Sequence, residues 1–173
     1  VAALVLLNST HDAQQRVLAA LTNTTVQAMG QSIDREINGM ATTLRVLSTS
    51  QTLEQGDLEG FHDRALSALA GTGSYLIAVD DRFAQLLNTR VEYGTDLGAT
   101  SDPETAQSAI ERGVATISPL FFGQIAQTYV FNVWLPVSDV EPVRLVTMTQ
   151  NARNLVPALQ SRQMPEGWHA ALV

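Results

Sequence analysis

A periodic apolar stripe near the start of the chain constrains the fold more than any other sequence feature. Its members recur in steps of three and four residues, the spacing of one face of an α-helix: Val26, Met29, Ile33, Ile37, Met40, Leu44 and Leu47. No proline occurs before Leu53, so the pattern predicts a single helix over about residues 12–49. At a rise of 1.5 Å per residue, this helix would be roughly 55 Å long.

The length of this helix predicts a stalk. A compact chain of this size has a radius of gyration of about 16 Å, so half of the helix would project beyond the folded body. We therefore expect a membrane-proximal helical stalk over residues 1–25 and a folded domain over 26–173. A thinner apolar seam at heptad spacing predicts a partner helix and a homodimer: Leu18, Leu21, Thr25 and Ala28. A long core helix with a polar start is the alternative.

Both ends of the chain carry apolar runs. Residues 1–7 are all apolar, but roughly 20 such residues are needed to span a bilayer, so we expect the stump of a transmembrane segment. Residues 168–173 form a second, strand-like run. The two runs predict that the chain is part of a longer polypeptide and that its folded domain is truncated at the C-terminus.

Charge and composition exclude several function classes. The formal net charge is −7, whereas nucleic-acid binding needs clustered basic residues. The chain has no cysteine, and its three histidines, His11, His62 and His169, are too far apart in sequence for metal-ligand spacing. We expect no metal, no cofactor and no nucleic-acid partner, and the absence of a catalytic constellation predicts a non-enzymatic domain.

The rest of the chain predicts an α+β fold. After the long helix, we expect a short helix, a two-stranded hairpin, a loop with a helix, a three-stranded meander, a closing helix and a last strand. Their approximate ranges are 57–69, 75–79 with 83–90, 92–101 with 102–112, 115–122 with 128–137 and 143–150, 151–163, and 168–173. The long helix would pack on an antiparallel sheet of about five strands with short flanking helices.

This order of elements resembles the Cache family, the PAS-like extracytoplasmic sensor domain of bacterial histidine kinases, diguanylate cyclases and chemoreceptors. Several local phrases resemble it too: residues 44–50 (LRVLSTS), 56–62 (GDLEGFH), 78–81 (AVDD), 87–90 (LNTR) and 117–121 (ISPLF). The resemblance implies a PAS-like sheet and a membrane-anchored homodimer whose first helix continues from a transmembrane segment. It also implies a periplasmic or extracellular location in a bacterial inner-membrane protein, with any kinase or cyclase activity in another part of that protein.

Polar side chains on the predicted strands indicate a binding site. Asn88 and Arg90 share one face of their strand, Asn132 and Trp134 share a face of another, and Thr147 lies on the next strand. A two-layer core should be apolar there, so such groups must pair with each other or contact a ligand. An exposed sheet edge with ordinary core aromatics is the alternative, and Arg90 could equally form a salt bridge with a nearby carboxylate.

The candidate ligand site therefore combines these strands with the loop 92–101 as a mobile cover. Arg90 would supply a charge-assisted contact and Asn132 an orienting hydrogen bond. The full set comprises Asn88, Arg90, Tyr93, Phe122, Tyr129, Asn132, Trp134 and Thr147, with the aromatic residues as walls. The resemblance implies a small metabolite, such as an organic acid, as the ligand.

We therefore expect a sensory domain that converts ligand occupancy into a shift of its long helix, and so signals across a membrane. The competing hypothesis is a non-sensing dimerisation or protein-interaction scaffold, in which the helix assembles the dimer and the sheet contains no pocket.

Overall fold

The computed structural model describes residues 2–157, with side chains described at Arg16 and from Leu18 onward. The predicted strand 168–173 and the end of the predicted helix 151–163 lie outside the described residues. The contacts between residues divide the chain into two units. Residues 36–155 form one of them, a compact unit that contains all the strands. The division into a stalk (1–25) and a sensor domain (26–173) stays a prediction.

The order of helices and strands is the predicted one, apart from the short helix α2 and the division of one predicted strand into two. The helices are α1 (Ala2–Ser48), α2 (Gln51–Glu54), α3 (Leu58–Leu69) and α4 (Pro103–Arg112). The strands are β1 (Ser74–Val79), β2 (Gln85–Asn88), β3 (Thr116–Ile117), β4 (Phe121–Gly123), β5 (Thr128–Pro136) and β6 (Leu145–Asn151), followed by a 3-10 helix (Ala152–Leu155). The long helix starts earlier than the predicted residue 12.

All strands of the unit form one antiparallel sheet in the order β2-β1-β6-β5-β3, with β4 paired to β5 beside β3. The central strands β1, β6 and β5 are in register over long stretches, for example Ile77 opposite Thr147 and Thr147 opposite Trp134. The α+β class, the long N-terminal helix and the antiparallel sheet are thereby confirmed.

Two predicted strands are shorter in the structure, and each has a local cause. Phe83 has a left-handed φ of 62°, and the Asp80 carboxylate accepts hydrogen bonds from the backbone of Arg82 and Ala84, so β2 starts only at Gln85. The predicted strand 115–122 is split into β3 and β4. Pro119 lies at the break, and a proline has no N–H to contribute to a strand ladder.

The last turns of α1, from Glu36 onward, pack on one face of the sheet. Met40, Leu44 and Leu47 belong to a core that also contains Phe61 of α3, and Ile37 packs against that core. The other members of the predicted stripe differ in their exposure to solvent. Met29 is buried, Ile33 is half-buried, and Val26 is 59% exposed.

The seam ahead of this stripe is partly open. Leu18 and Leu21 are exposed, whereas Thr25 and Ala28 are half-buried. No helix among the described residues combines the length and the apolar character that a membrane crossing requires.

Candidate functional site

The sheet has two different faces, because side chains alternate along each strand. Leu76, Val133 and Met148 point toward α1 and α3 and join their core. Tyr75, Ile77 and Trp134 point to the opposite face and form a second, smaller core with α4. The polar side chains that the sequence singled out belong mostly to this second face.

A buried hydrogen-bond network joins β5 to the start of α4. Asp102 precedes α4 but its carboxylate does not cap the helix. Instead, its Oδ2 accepts hydrogen bonds from Asn132 Nδ2 at 3.1 Å and from Trp134 Nε1 at 2.8 Å. All three residues are buried. A carboxylate that replaces water in this way satisfies two donors that would otherwise destabilise the core.

The network continues into β6 and β1. The Thr149 hydroxyl donates to Asn132 Oδ1 at 2.6 Å, and the Thr147 hydroxyl donates to the Val133 carbonyl at 3.0 Å. Burial raises the pKa of Tyr75, while the positive charge of Arg90 and the interaction with the Thr149 hydroxyl act in the opposite direction. Tyr75 is therefore neutral across the physiological pH range.

A small cavity lies on this face. Its volume is about 20 Å³, which is room for about one water molecule. Its polar lining comprises Tyr75, Gln85, Asn88, Thr100, Ser101, Gln124, Asn132 and Thr149. Two segments close it: Thr100 and Ser101 ahead of α4, and residues 123–126 between β4 and β5. The sequence predicted the first as part of the loop 92–101 and did not single out the second.

The structure brings four of the predicted site residues to this face. Asn88 and Asn132 line the cavity, and both are buried. Thr147 and Trp134 lie on the same face, fully buried beside it. The Asn88 amide donates to Gln85 Oε1 at 3.0 Å, and its carbonyl accepts from the Arg90 backbone at 3.0 Å, which ends β2 in a local turn.

Arg90 lies at the edge of the cavity, not in its lining. Its guanidinium stands over the Tyr75 ring, 5.3 Å from the centroid, within the range of a cation–π contact. Its Nη2 donates to the carbonyl of Ala126 at 3.4 Å. Because Tyr75 and Ala126 both line the cavity, Arg90 ties the β4–β5 turn to β1.

The other three predicted site residues lie elsewhere. Tyr93 is exposed beside the His62 ring, at a centroid distance of 5.8 Å, in a separate open groove with Arg90. Phe122 and Tyr129 face each other across β4 and β5, with ring centroids 5.8 Å apart, and Tyr129 is 62% exposed. Their neighbours Phe121 and Val130 point to the cavity face, so alternation turns these two rings to the opposite side.

Sequence reasoning missed Asp102 as part of the site. Its position ahead of Pro103 is typical of a helix N-cap, and a carboxylate there carries no signal of a second role. Only the packing of α4 against β5 places it beside Asn132 and Trp134. In the part of the chain that the structure describes, no three His, Cys, Asp or Glu side chains come together in a way that could hold a metal ion.

Solved structures of bacterial sensory domains share this fold. The sensory domain of the Campylobacter jejuni chemoreceptor Tlp3 with isoleucine bound matches 82% of this chain and 63% of its own, with a TM-score of 0.60 and 10% identity. The sensor domain of the Vibrio cholerae histidine kinase DctB matches 85% and 61%, with a TM-score of 0.65 and 11% identity.

A third match is the ligand-binding domain of the Pseudomonas aeruginosa amino acid chemoreceptor PctB in complex with L-Gln. It covers 82% of this chain and 57% of its own, with a TM-score of 0.56 and 11% identity. No protein-family model matches the chain. No curated protein matches it either.

These comparisons establish the fold. The chain has the Cache-like fold of sensory domains from chemoreceptors and a histidine kinase, which confirms the resemblance drawn from the sequence. It spans 63%, 61% and 57% of the length of these three sensory domains.

Proposed function

We propose that this chain is an extracytoplasmic sensory domain that binds a small polar metabolite at the cavity face of its sheet. The observation that supports this most is the buried network of Asn132, Asp102 and Thr149 at a cavity opposite α1 and α3. Polar groups are costly to bury, and a purely structural sheet face would more simply be apolar.

Arg90 and the amides favour a ligand with an anionic or strongly polar end, such as an organic acid. The guanidinium now donates to a backbone carbonyl, and a carboxylate would make a stronger, charge-assisted acceptor. Asn132 and Asn88 would orient the ligand, with Trp134 and Thr147 holding the network behind them.

Binding would require the cavity to enlarge. A volume of about 20 Å³ is far below the roughly 300–1,000 Å³ of typical ligand pockets. The closing segments, 123–126 and 100–101, would move outward, and the ligand would stabilise this open arrangement by population shift. Release of Arg90 from Ala126 would be part of that opening, since this hydrogen bond holds the turn in place.

The signal would pass to α1 and from there to a membrane-anchored parent protein. We propose a location in the periplasm or outside the cell, a non-catalytic role for this domain, and a kinase or cyclase output elsewhere. The exposed side chains of Leu18 and Leu21 on α1 support a homodimer through this helix. Sedimentation of a longer, membrane-anchored form would test the dimer, and strictly monomeric behaviour would contradict it.

The ligand proposal is tested by thermal shift and titration calorimetry of the 173-residue chain. Suitable probes are succinate as a dicarboxylate, L-isoleucine and L-glutamine as amino acids, and putrescine as an amine. A ligand present at 100 times its Kd should stabilise the fold by about 2.7 kcal/mol. Asn132→Leu and Arg90→Ala should each abolish or strongly reduce the shift.

Tyr129→Ser is the matched control, because its exposed ring lies on the opposite face and should not affect binding. If the ligand still raises the melting temperature of both Asn132→Leu and Arg90→Ala, the binding site lies outside this cavity. If no probe class changes the melting temperature, the result favours the scaffold hypothesis. In that hypothesis the helix assembles a dimer and the sheet binds no ligand.

A further inference from the structure

Gln150 of β6 carries the one buried polar side-chain atom that lacks a hydrogen-bond partner among the described residues. Gln150 is 3% exposed, and its Oε1 has no donor. Its amide nitrogen donates to Glu36 Oε1 of α1 at 3.2 Å. More than nine in ten buried polar groups in native proteins are satisfied, so this exception needs a physical explanation.

Glu36 fixes the orientation of the Gln150 amide. Turning the amide over would bring its oxygen against the Glu36 carboxylate, and two acceptors repel each other. The observed orientation therefore keeps the bond to α1 and leaves Oε1 without a donor. In the described part of the chain, this is the one side-chain hydrogen bond between α1 and the sheet.

Directionality gives this bond a role that apolar packing cannot take. The contacts of Met40 and Leu44 with the sheet are non-directional and roughly proportional to area, so they tolerate small sliding of the helix. A hydrogen bond depends steeply on distance and angle. The bond between Gln150 and Glu36 therefore adds a directional contact between α1 and β6 to this packing.

Gln150 is also the sequence neighbour of the cavity network. Thr149 points to the cavity face, where it donates to Asn132, and Gln150 points to the helix face because successive residues alternate. Both residues are held within the sheet, since β6 is paired on both sides, with β1 and with β5. A displacement of Thr149 is consequently passed to Gln150 across a single peptide bond.

We propose that Gln150 is the positioning residue that couples the cavity to α1, through its hydrogen bond to Glu36. This inference rests on the proposed sensory function and names the contact through which the cavity would act on the helix. A rearrangement of the Asn132 and Thr149 network shifts Gln150, weakens the bond to Glu36 and releases α1 from its position. The buried acceptor without a donor lowers the cost of leaving this arrangement.

The test needs no ligand, because a mutation can perturb the cavity. Asn132→Ala removes both hydrogen bonds of that side chain within the network. Hydrogen exchange is then followed in residues 36–47 of α1, with α3 as an internal reference for global destabilisation. In the otherwise unchanged chain, Asn132→Ala should accelerate exchange in residues 36–47 about fivefold or more beyond the change in α3, in line with typical coupling between sites.

The same cavity mutation is repeated in three backgrounds. In Gln150→Leu and in Glu36→Ala, the excess acceleration should disappear, and Glu36→Ala keeps the test valid if Gln150→Leu fails to fold. In Glu36→Gln it should remain, because an amide oxygen still accepts the bond. Asn38→Ala, an exposed change on the same helix, is the control and should also retain it.

An equal acceleration in every background would overturn the coupling role of Gln150, and so would the absence of any excess in the otherwise unchanged chain. Neither result depends on the ligand screen. A positive screen with no coupling would reject this inference alone, whereas coupling without any ligand shift would reject the proposed sensory function alone.

Discussion

The two faces of the central sheet are built from the same strands but hold different kinds of side chain. On the face toward α1 and α3, the strands contribute apolar groups such as Leu76, Phe131 and Val146. The opposite face combines a small apolar cluster, which includes Ile77 and Trp134, with buried polar side chains. Of these, Asn132 is hydrogen-bonded to Asp102 and Thr149, and Thr147 to a backbone carbonyl. One residue along a strand is enough to pass from one kind of environment to the other.

This difference separates the driving force for folding from the placement of particular polar groups. Burial of apolar surface is non-directional and supplies most of the driving force for folding, so the helix-side face can be large and tolerant. A polar network contributes little net stability but requires specific partners. The cavity face therefore determines the arrangement of particular groups, while the helix-side face keeps the sheet folded around them.

The largest expected effect lies on the helix-side face. Phe61 is 0% exposed in the core between α3 and the sheet, and Phe61→Ala should lower the free energy of unfolding by about 3–5 kcal/mol. Leu66→Ala, at a 49% exposed position of the same helix, should cost much less. Urea denaturation of both variants measures the difference, and equal losses would contradict the assignment of the core to this face.

A smaller effect is expected on the cavity face. Asp102→Ala removes the acceptor of two buried N–H groups, those of Asn132 and Trp134, and should cost about 1–3 kcal/mol. It should also change the fluorescence of Trp134, because the indole N–H loses its partner. Glu104→Ala, at an exposed position of the same helix, is the control. An Asp102→Ala variant with unaltered fluorescence and stability would mean that the network does not form.

The smallest effect appears only at alkaline pH. Burial raises the pKa of Tyr75 above the ordinary value of about 10, so the unfolded chain releases this proton first. The stability that Tyr75 contributes is therefore complete below about pH 10 and is lost as the pH rises through the pKa of the folded state. For one proton, the slope cannot exceed about 1.4 kcal/mol per pH unit.

Tyr75→Phe should flatten the decline of unfolding free energy in this alkaline range, and Tyr93→Phe, at an exposed ring, should not. Denaturant titrations at several alkaline pH values compare the two. If both variants follow the same pH dependence as the unchanged chain, the cavity face is more hydrated around Tyr75 than its burial indicates.

Local patterns were sufficient to predict most elements. The stripe from Val26 to Leu47 predicted the long helix, and the sequence around Asp57 and Asp102 predicted the starts of α3 and α4 correctly. Alternation along β5 also placed Asn132 and Trp134 on one face. Each of these features depends on residues a few positions apart, and such spacing is visible in sequence.

Other features depended on which elements meet. The role of Asp102 as an acceptor and the closing turn at 123–126 involve contacts with β5 or β1 that no local pattern records. Phe122 and Tyr129 were predicted as walls of the site. Alternation along β5 turns Tyr129 away from the face of Asn132, and the pairing of β4 with β5 places Phe122 beside Tyr129 on that other face.

The sequence by itself determined the α+β class, the long helix and the polar character of several strand positions, because helix and strand periodicities are properties of neighbouring residues. Only the tertiary structure decided that Asp102, Asn132 and Thr149 share one network, that Arg90 stands at its edge, and that Gln150 contacts Glu36 more than a hundred positions away. Such contacts depend on strand register and on helix packing, which place distant residues side by side through the burial of the whole core.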